Sequence, residues 1–209
     1  MPVDFLKTAF VTLLVTLDPP GLAPIFMGLT LGMSVAAKRQ VAVRGSLIAF
    51  GILALFALFG RPALDALGVT IPAFRISGGL LLFFIAFDMV FALRAGQKHE
   101  IANSAVEIDH IRNIAAFPLA IPLMAGPGAL TATVLLAGQA AFRPLYLAIL
   151  IAVIAAVAAL CFVVFLFAGR IERALGITGS VLLSRLLGVL LAALAVQYVI
   201  DGLRAALRG

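Results

Sequence analysis

The chain has very few of the residues that catalysis or oxidative crosslinking requires. Among its 209 residues there are one cysteine, two histidines and no tryptophan. A single cysteine, Cys161, excludes an intrachain disulfide and a cysteine-based metal site. The motifs Gly-x-Ser-x-Gly, Walker A and His-Glu-x-x-His are also absent from the sequence. We therefore expect no enzyme, no cofactor, no metal centre and no direct coupling to ATP hydrolysis.

Charged residues are also few, and most of the chain is apolar. Only 11% of the chain is charged and 64% is apolar, against roughly 45–50% apolar in soluble domains. Six apolar segments are long enough to cross a bilayer. We predict an all-α membrane protein with six transmembrane helices, in contact with lipid and not with nucleic acid. The predicted spans are 5–31, 44–59, 70–93, 114–140, 144–168 and 181–203.

The basic residues indicate how these spans are oriented. Nine of the 15 Lys and Arg residues lie in or near the first, third and fifth loops. Cytoplasmic loops carry an excess of Lys and Arg. We therefore predict a multi-pass protein of the bacterial inner membrane with both termini in the periplasm.

The two halves of the chain resemble each other. This pattern predicts two three-helix repeats, 1–93 and 114–209, joined by a cytoplasmic linker, 94–113. Because each repeat has three spans, the second must be inserted upside down relative to the first. Three motifs recur at nearly one spacing: Pro20-Gly21 at Pro127-Gly128, residues 66–70 at 174–178, and Arg75-x-x-Gly78 at Arg185-x-x-Gly188.

Proline and glycine interrupt the first and fourth predicted spans at matching places. The breaks are Asp18-Pro19-Pro20-Gly21 and Gly126-Pro127-Gly128. Proline removes the hydrogen-bond donor of the carbonyl four residues earlier, which frees carbonyls before each break, at Thr16 and Leu123 among others. After each break a new half-helix begins, and its free N–H groups suit a carboxylate. We predict these free groups at Gly21, Leu22 and Ala23 and at Gly128, Ala129 and Leu130. The freed carbonyls, together with Asp18, suit an ammonium group or Na⁺.

We therefore predict a midplane site for a small zwitterion between broken helices 1 and 4. The alternative is that both breaks are proline kinks that only shape the helices. The predicted substrate contacts are Asp18, Pro20, Gly21, Leu22, Ala23, Gly126, Pro127, Gly128, Ala129 and Thr131. The candidates for ion binding or gating are Thr16, Leu123, Arg75, Asp88 and Arg185.

Two kinds of charged residue leave their role open. Asp88 in the third span is either an ion relay or the partner of an arginine. Arg75 and Arg185 begin the third and sixth spans, where they are snorkelling anchors or gates. The linker contains metal-capable residues, His99 and Glu107 among them, but their spacing favours a solvated connection over a metal site.

Three runs of sequence resemble the MarC family of bacterial inner-membrane proteins. They are Asp-Pro-Pro-Gly-Leu-Ala-Pro-Ile-Phe at 18–26, Phe-Arg-Ile-Ser-Gly-Gly-Leu-Leu-Leu-Phe at 74–83, and Pro-Leu-Ala-Ile-Pro-Leu-Met-Ala-Gly-Pro-Gly-Ala at 118–129. The resemblance implies six spans and transport of small neutral amino acids such as alanine or glycine. Many members carry Asn where Asp18 stands, which implies that this side chain acts as an oxygen ligand.

The leading hypothesis is a secondary transporter of a small neutral amino acid, coupled to Na⁺ or H⁺. The alternatives are a channel-like metabolite exporter and a membrane scaffold that transports nothing. Small residues on the predicted helices suit close packing within one chain or within a homo-oligomer. They are the pair Gly28 and Gly32 and the stripe Ala148, Ala152, Ala155 and Ala159.

Overall fold

The computed structural model describes residues 2–91, 114–140 and 143–208, and these residues form helices joined by short turns, with no strand among them. The predicted linker 94–113 lies outside the described residues. The helices are α1 (Pro2–Leu17), α2 (Pro19–Leu29), α3 (Val35–Ala66), α4 (Ile71–Phe91), α5 (Ala115–Met124), α6 (Pro127–Ala140), α7 (Pro144–Leu166) and α8 (Ala168–Arg208).

The predicted all-helical membrane architecture is confirmed. In the described part of the chain, five segments are long and apolar enough to cross a membrane, and the pair α5–α6 becomes a sixth if it counts as one span bent by 60°. The helices extend past several predicted boundaries. α3 begins nine residues before the predicted span because Ser34 caps it, accepting a hydrogen bond of 3.2 Å from Ala37 N–H. α8 includes the predicted fifth loop and turns at Gly176, which has a φ of 64°.

Helices at corresponding positions in the two halves pack against each other. α4 lies along α8, the most extensive helix pair in the described structure, and α3 lies along α7. The closest approaches between α4 and α8 are at glycines. A Cβ added at Gly79 would lie 2.8 Å from the Ala195 carbonyl oxygen, and one added at Gly188 would lie 3.2 Å from the Ala86 carbonyl oxygen. The two helices are therefore antiparallel and in backbone contact.

These two glycine contacts are reciprocal. Gly188 follows Gly79 by 109 positions, and Ala195 follows Ala86 by the same 109 positions. Such an exchange of partners is the property of a two-fold interface. A two-fold axis between antiparallel membrane-spanning helices is perpendicular to both, so it lies in the plane of the membrane. The contact supports the inverted repeat, which stays a prediction.

The register of this contact corrects one detail of the repeat. A separation of 109 positions makes Ser184 the counterpart of Arg75, whereas the motif match paired Arg75 with Arg185. The exposure of the side chains agrees with pairing Arg75 with Ser184, because both are half-buried, whereas the Arg185 side chain is exposed. Arg75 and Arg185 therefore have different surroundings in the fold, and their roles as snorkelling anchors or gates stay predictions.

Among the residues that the structure describes, the predicted small-residue contacts do not occur. α2 ends at Leu29, so Gly32 lies outside the helix with a φ of 76°, and a Cβ added at Gly28 would meet nothing within 4 Å. The alanine stripe of α7 is exposed along its whole length. Packing inside the fold instead uses larger side chains on these helices. Phe26 of α2, for example, stacks on Phe165 of α7 with ring centroids 4.6 Å apart.

Candidate functional site

Asp18 forms the first break by ending one helix and capping the next. Its N–H donates to the Leu14 carbonyl (3.1 Å), and its backbone is left-handed, with φ 48° and ψ 61°. Asp18 Oδ1 accepts from Gly21 N–H (3.2 Å), and its carbonyl oxygen accepts from Leu22 N–H (3.0 Å). The prediction of free N–H groups at Gly21 and Leu22 is therefore wrong, because Asp18 occupies both of them.

Ser184 of α8 fixes the carboxylate of this cap. Its hydroxyl donates a hydrogen bond of 3.0 Å to Asp18 Oδ1, and the Asp18 side chain is 7% exposed. Gly21 has no room for a side chain, because an added Cβ would overlap Asp18 Oδ2 and lie 2.8 Å from Ser184 Oγ. Sequence analysis missed Ser184, since a lone serine in an apolar span carries no signal of its own.

The helix before the second break, α5, is irregular. Its backbone is extended at Phe117 and Ile121, and the peptide bonds that follow them are cis. In its last turn, the Ala125 N–H donates a hydrogen bond of 2.8 Å to the Ala120 carbonyl, five residues earlier, instead of the four that are usual in an α-helix. The chain therefore reaches the second break in an irregular conformation, as the prolines of this segment predict.

At the second break the helix end remains open toward the site. The first hydrogen bond of α6 runs from Leu130 N–H to the Gly126 carbonyl (3.0 Å). The predicted free N–H of Leu130 is therefore occupied. The N–H groups of Gly128 and Ala129 precede this bond and belong to the helix end, where backbone donors have no acceptor within their own helix. An added Cβ at Gly126 would overlap the Pro122 carbonyl, so only glycine fits there.

Both breaks line one cavity of about 200 Å³. Five further lining residues, Ile85 and Met89 among them, were not predicted. Gly128 lies deep in the wall, since a Cβ added to it would be 2.6 Å from Ile85 Cδ1 and 3.2 Å from Thr16 Cγ2. The predicted residues that the cavity brings together are Thr16, Asp18, Leu22, Asp88, Leu123, Gly126, Pro127, Gly128 and Ala129.

The remaining predicted residues do not line this cavity; they are Pro20, Gly21, Ala23, Thr131, Arg75 and Arg185. Thr131 is buried in the contact with α4, with its methyl group against Gly78. Arg185 is exposed on the outside of α8. Gly21 acts indirectly, since the absence of its side chain leaves the space that the Asp18 carboxylate fills.

Asp88 brings a second carboxylate to the cavity. Its side chain is half-buried, and its Oδ1 is buried without a hydrogen-bond partner. No arginine pairs with Asp88 in the described parts of the chain, where an ion pair joins Arg61 and Asp65 of α3 at 4.0 Å. A buried carboxylate oxygen without a donor is suited to a cation or to a proton.

Apolar spanning helices, two broken helices and a buried cavity between the breaks define a polytopic helical membrane protein with an internal polar site. The chain belongs to the MarC family of integral membrane proteins, whose family profile matches residues 3–207. This confirms the resemblance seen in the sequence.

Relatives in bacteria and archaea match over almost their whole length. The chain is 36% identical over 204 residues to a UPF0056 membrane protein of Archaeoglobus fulgidus, covering 96% of this chain and 92% of that protein. It is 32% identical to the membrane protein YvbG of Bacillus subtilis, covering 98% and 96%, and 31% identical to YhcE of Escherichia coli, covering 93% and 90%. These names state a membrane location and no substrate. No solved structure matches the chain.

Proposed function

We propose that this protein is a secondary transporter of small neutral amino acids, such as alanine or glycine, coupled to Na⁺ or H⁺. The observation that carries the proposal is that both helix breaks line one cavity. Pockets for drug-sized ligands measure about 300–1,000 Å³. A cavity of about 200 Å³ suits a smaller solute, and interrupted helices at matching places in two halves are typical of transporter binding sites.

The second break provides the place for the substrate carboxylate. Gly128 and Ala129 line the cavity, and their N–H groups lie at the N-terminus of α6. A helix N-terminus carries about half a positive charge and binds anions through such groups. The first break cannot serve in this way, since Asp18 already caps α2. The carboxylate of the substrate therefore binds at the N-terminus of α6 and not at that of α2.

The two acids provide the place for the amino group and the coupling ion. Asp18 is held in position by Ser184 and Gly21, so it presents a carboxyl oxygen to the cavity in a fixed position. Asp88 stands on the wall formed by α4, with Oδ1 buried and unpartnered. Ionisable residues inside membrane proteins commonly mark ion and substrate pathways. We assign Asp18 to the ammonium group and Asp88 to the coupling Na⁺ or proton.

The cavity lies toward the end of α4 that precedes the predicted linker, since Asp88 is close to Phe91. With the predicted topology, this is the cytoplasmic side of the bacterial inner membrane, and the termini are periplasmic. The described conformation is then the one that faces the cytoplasm.

Uptake into proteoliposomes tests this function. We expect saturable uptake of labelled alanine or glycine that responds to an imposed Na⁺ or pH gradient. Gly128→Leu should abolish uptake, because its side chain would fill the cavity. Gly51→Leu is the matched control, since a Cβ at Gly51 meets nothing within 4 Å. Flux that rises linearly with concentration would indicate a pore, and an absence of amino acid flux would refute the proposal.

A further inference from the structure

A second cavity, of about 340 Å³, lies between α3, α6 and α7. The described residues that line it are all different from those of the cavity between the breaks. Arg61 and Asp65 of α3 bring charged side chains to it, as does Arg143, which directly precedes α7. We call this space the arginine cavity. The rest of its lining is apolar and includes Ala57, Leu58, Ala137 and Leu147.

The arginine cavity lies at the end of the molecule that carries the N-terminus. Arg143 Cζ is 5.4 Å from the centroid of the Tyr146 ring. Tyr146 in turn packs on Phe5, near the start of α1, with ring centroids 5.1 Å apart. The cavity between the breaks lies toward the other end, beside Asp88. With the predicted topology, the arginine cavity is on the periplasmic side.

Both arginines stand at the boundary of an apolar stretch. α3 has no charged residue between Arg44 and Arg61, and no charged residue follows Arg143 until Arg170. Arg61 follows Arg44 by 17 positions, which is a rise of about 25 Å at 1.5 Å per residue. This is close to the thickness of the hydrocarbon core, about 30 Å. The arginine cavity therefore lies at the depth of the lipid headgroups.

The surface beside the arginine cavity is apolar and faces outward. Leu58, in the cavity wall, is exposed, and so is Phe59 next to it on α3. On α7, Leu145 is exposed between the lining residues Pro144 and Leu147. In a membrane protein, such exposed side chains contact acyl chains. A lipid can therefore place its headgroup in the cavity and its chains against these side chains.

The charge of the wall selects the headgroup. Two guanidinium groups and one carboxylate line the cavity, which gives a net charge of +1. Arg61 Nε lies 4.0 Å from Asp65 Oδ2, and the Asp65 side chain is exposed, so solvent weakens this ion pair. Guanidinium groups bind phosphate through parallel hydrogen bonds. Basic pockets between membrane-spanning helices bind acidic lipid headgroups in this way.

We propose that the arginine cavity binds a phospholipid with one negative charge, such as phosphatidylglycerol, and that Arg61 and Arg143 hold its phosphate. A soluble phosphate shares this chemistry, but the exposed apolar side chains beside the cavity select the lipid, whose chains cover them. The lipid also contacts Ala137 and Ala140, near the end of α6 that is opposite the second break. The site does not depend on the proposed transport of amino acids.

Thermal unfolding of the full chain in phosphatidylcholine nanodiscs tests the site. Replacement of part of this lipid by phosphatidylglycerol should raise the melting temperature in a saturable way. Arg61→Gln and Arg143→Gln should each raise the half-saturating content of phosphatidylglycerol about fivefold. Arg39→Gln is the matched control and should leave it unchanged, because Arg39 is an exposed arginine near the opposite end of α3.

Asp65→Asn should give a result of the opposite sign. It keeps both arginines and removes the negative charge of the cavity wall, so saturation should occur at a lower content of phosphatidylglycerol. If the pair of Arg61 and Asp65 were only structural, this variant would melt at a lower temperature in pure phosphatidylcholine, with an unchanged response to the acidic lipid.

Three results would overturn the site. The first is a response to phosphatidylglycerol that is absent, or equal in Arg143→Gln and the unaltered chain. The second is an equal response to phosphatidylethanolamine, which has no net charge. The third is stabilisation by sodium phosphate at constant ionic strength while phosphatidylglycerol has no effect, which would assign the cavity to a soluble anion. Uptake of amino acids is measured separately, so the lipid site and the transport function fail independently.

Discussion

Ser184 Oγ lies 3.0 Å from Asp18 Oδ1 and donates a hydrogen bond to it across 166 positions of sequence. This bond ties the last helix of the second half to the break in the first half. Gly21 completes the arrangement from the other side, because its N–H donates to the same oxygen. The shape of the first break therefore depends on α8 as well as on its own prolines.

Ser184→Ala should lower the stability of the protein by about 1 kcal/mol, the usual net value of one hydrogen bond. Thermal unfolding of the purified protein measures the change. Ser77→Ala is the control, since the Ser77 hydroxyl bonds only to the Phe74 carbonyl of its own helix (3.1 Å). Equal melting temperatures for the two variants would contradict a special role for Ser184.

Gly21→Ala should destabilise the first break, because the new methyl group overlaps the Asp18 carboxylate and approaches Ser184. Overpacking of this kind costs about 1–3 kcal/mol. Gly28→Ala tests the same substitution in the same helix at a place where a Cβ meets nothing within 4 Å. We expect Gly28→Ala to be neutral or slightly stabilising. A Gly21→Ala protein as stable as Gly28→Ala would show that the carboxylate can move aside freely.

Asp18→Asn should keep both the stability of the fold and amino acid uptake, whereas Asp18→Ala should lower the stability and lose uptake. Asparagine tolerates the left-handed backbone and retains a side-chain oxygen that caps α2. Alanine loses the cap, at about 1 kcal/mol, and adds a similar penalty for the positive φ. Unfolding and uptake are measured on the same preparations. If Asp18→Asn folds normally but does not transport, the charge of Asp18 is required and its oxygen alone is not sufficient.

Gly79→Ala and Gly188→Ala should destabilise the α4–α8 pair to a similar degree, by about 1–3 kcal/mol each. At both positions the new Cβ meets a backbone carbonyl, which cannot rotate away as a side chain can. Gly51→Ala is the control in an exposed part of α3. If only one of the two glycines proves sensitive, the reciprocal contact does not contribute equally from both halves.

The sequence was a good guide wherever the signal was local. Apolar length predicts the spans, and Pro20 and Pro127 mark the breaks because proline cannot continue the hydrogen-bond ladder. Long-range pairing was not predictable: nothing near Ser184 indicates Asp18 as its partner. The capping of α2 was missed because it depends on one backbone conformation at Asp18. The repeat register was one residue out because motif matching aligned identical arginines, whereas packing aligns Gly79 with Gly188.

The reciprocal glycine contact has a consequence for motion. An interface that is the same from either side does not distinguish its two helices, so it can re-form after the two halves exchange conformations. With the predicted inverted repeat, such an exchange would close the space beside Asp88 and open an equivalent space in the second half, with Gly79 and Gly188 still against the opposite backbone. An oppositely facing state of this kind would keep the α4–α8 contact and would need no new core.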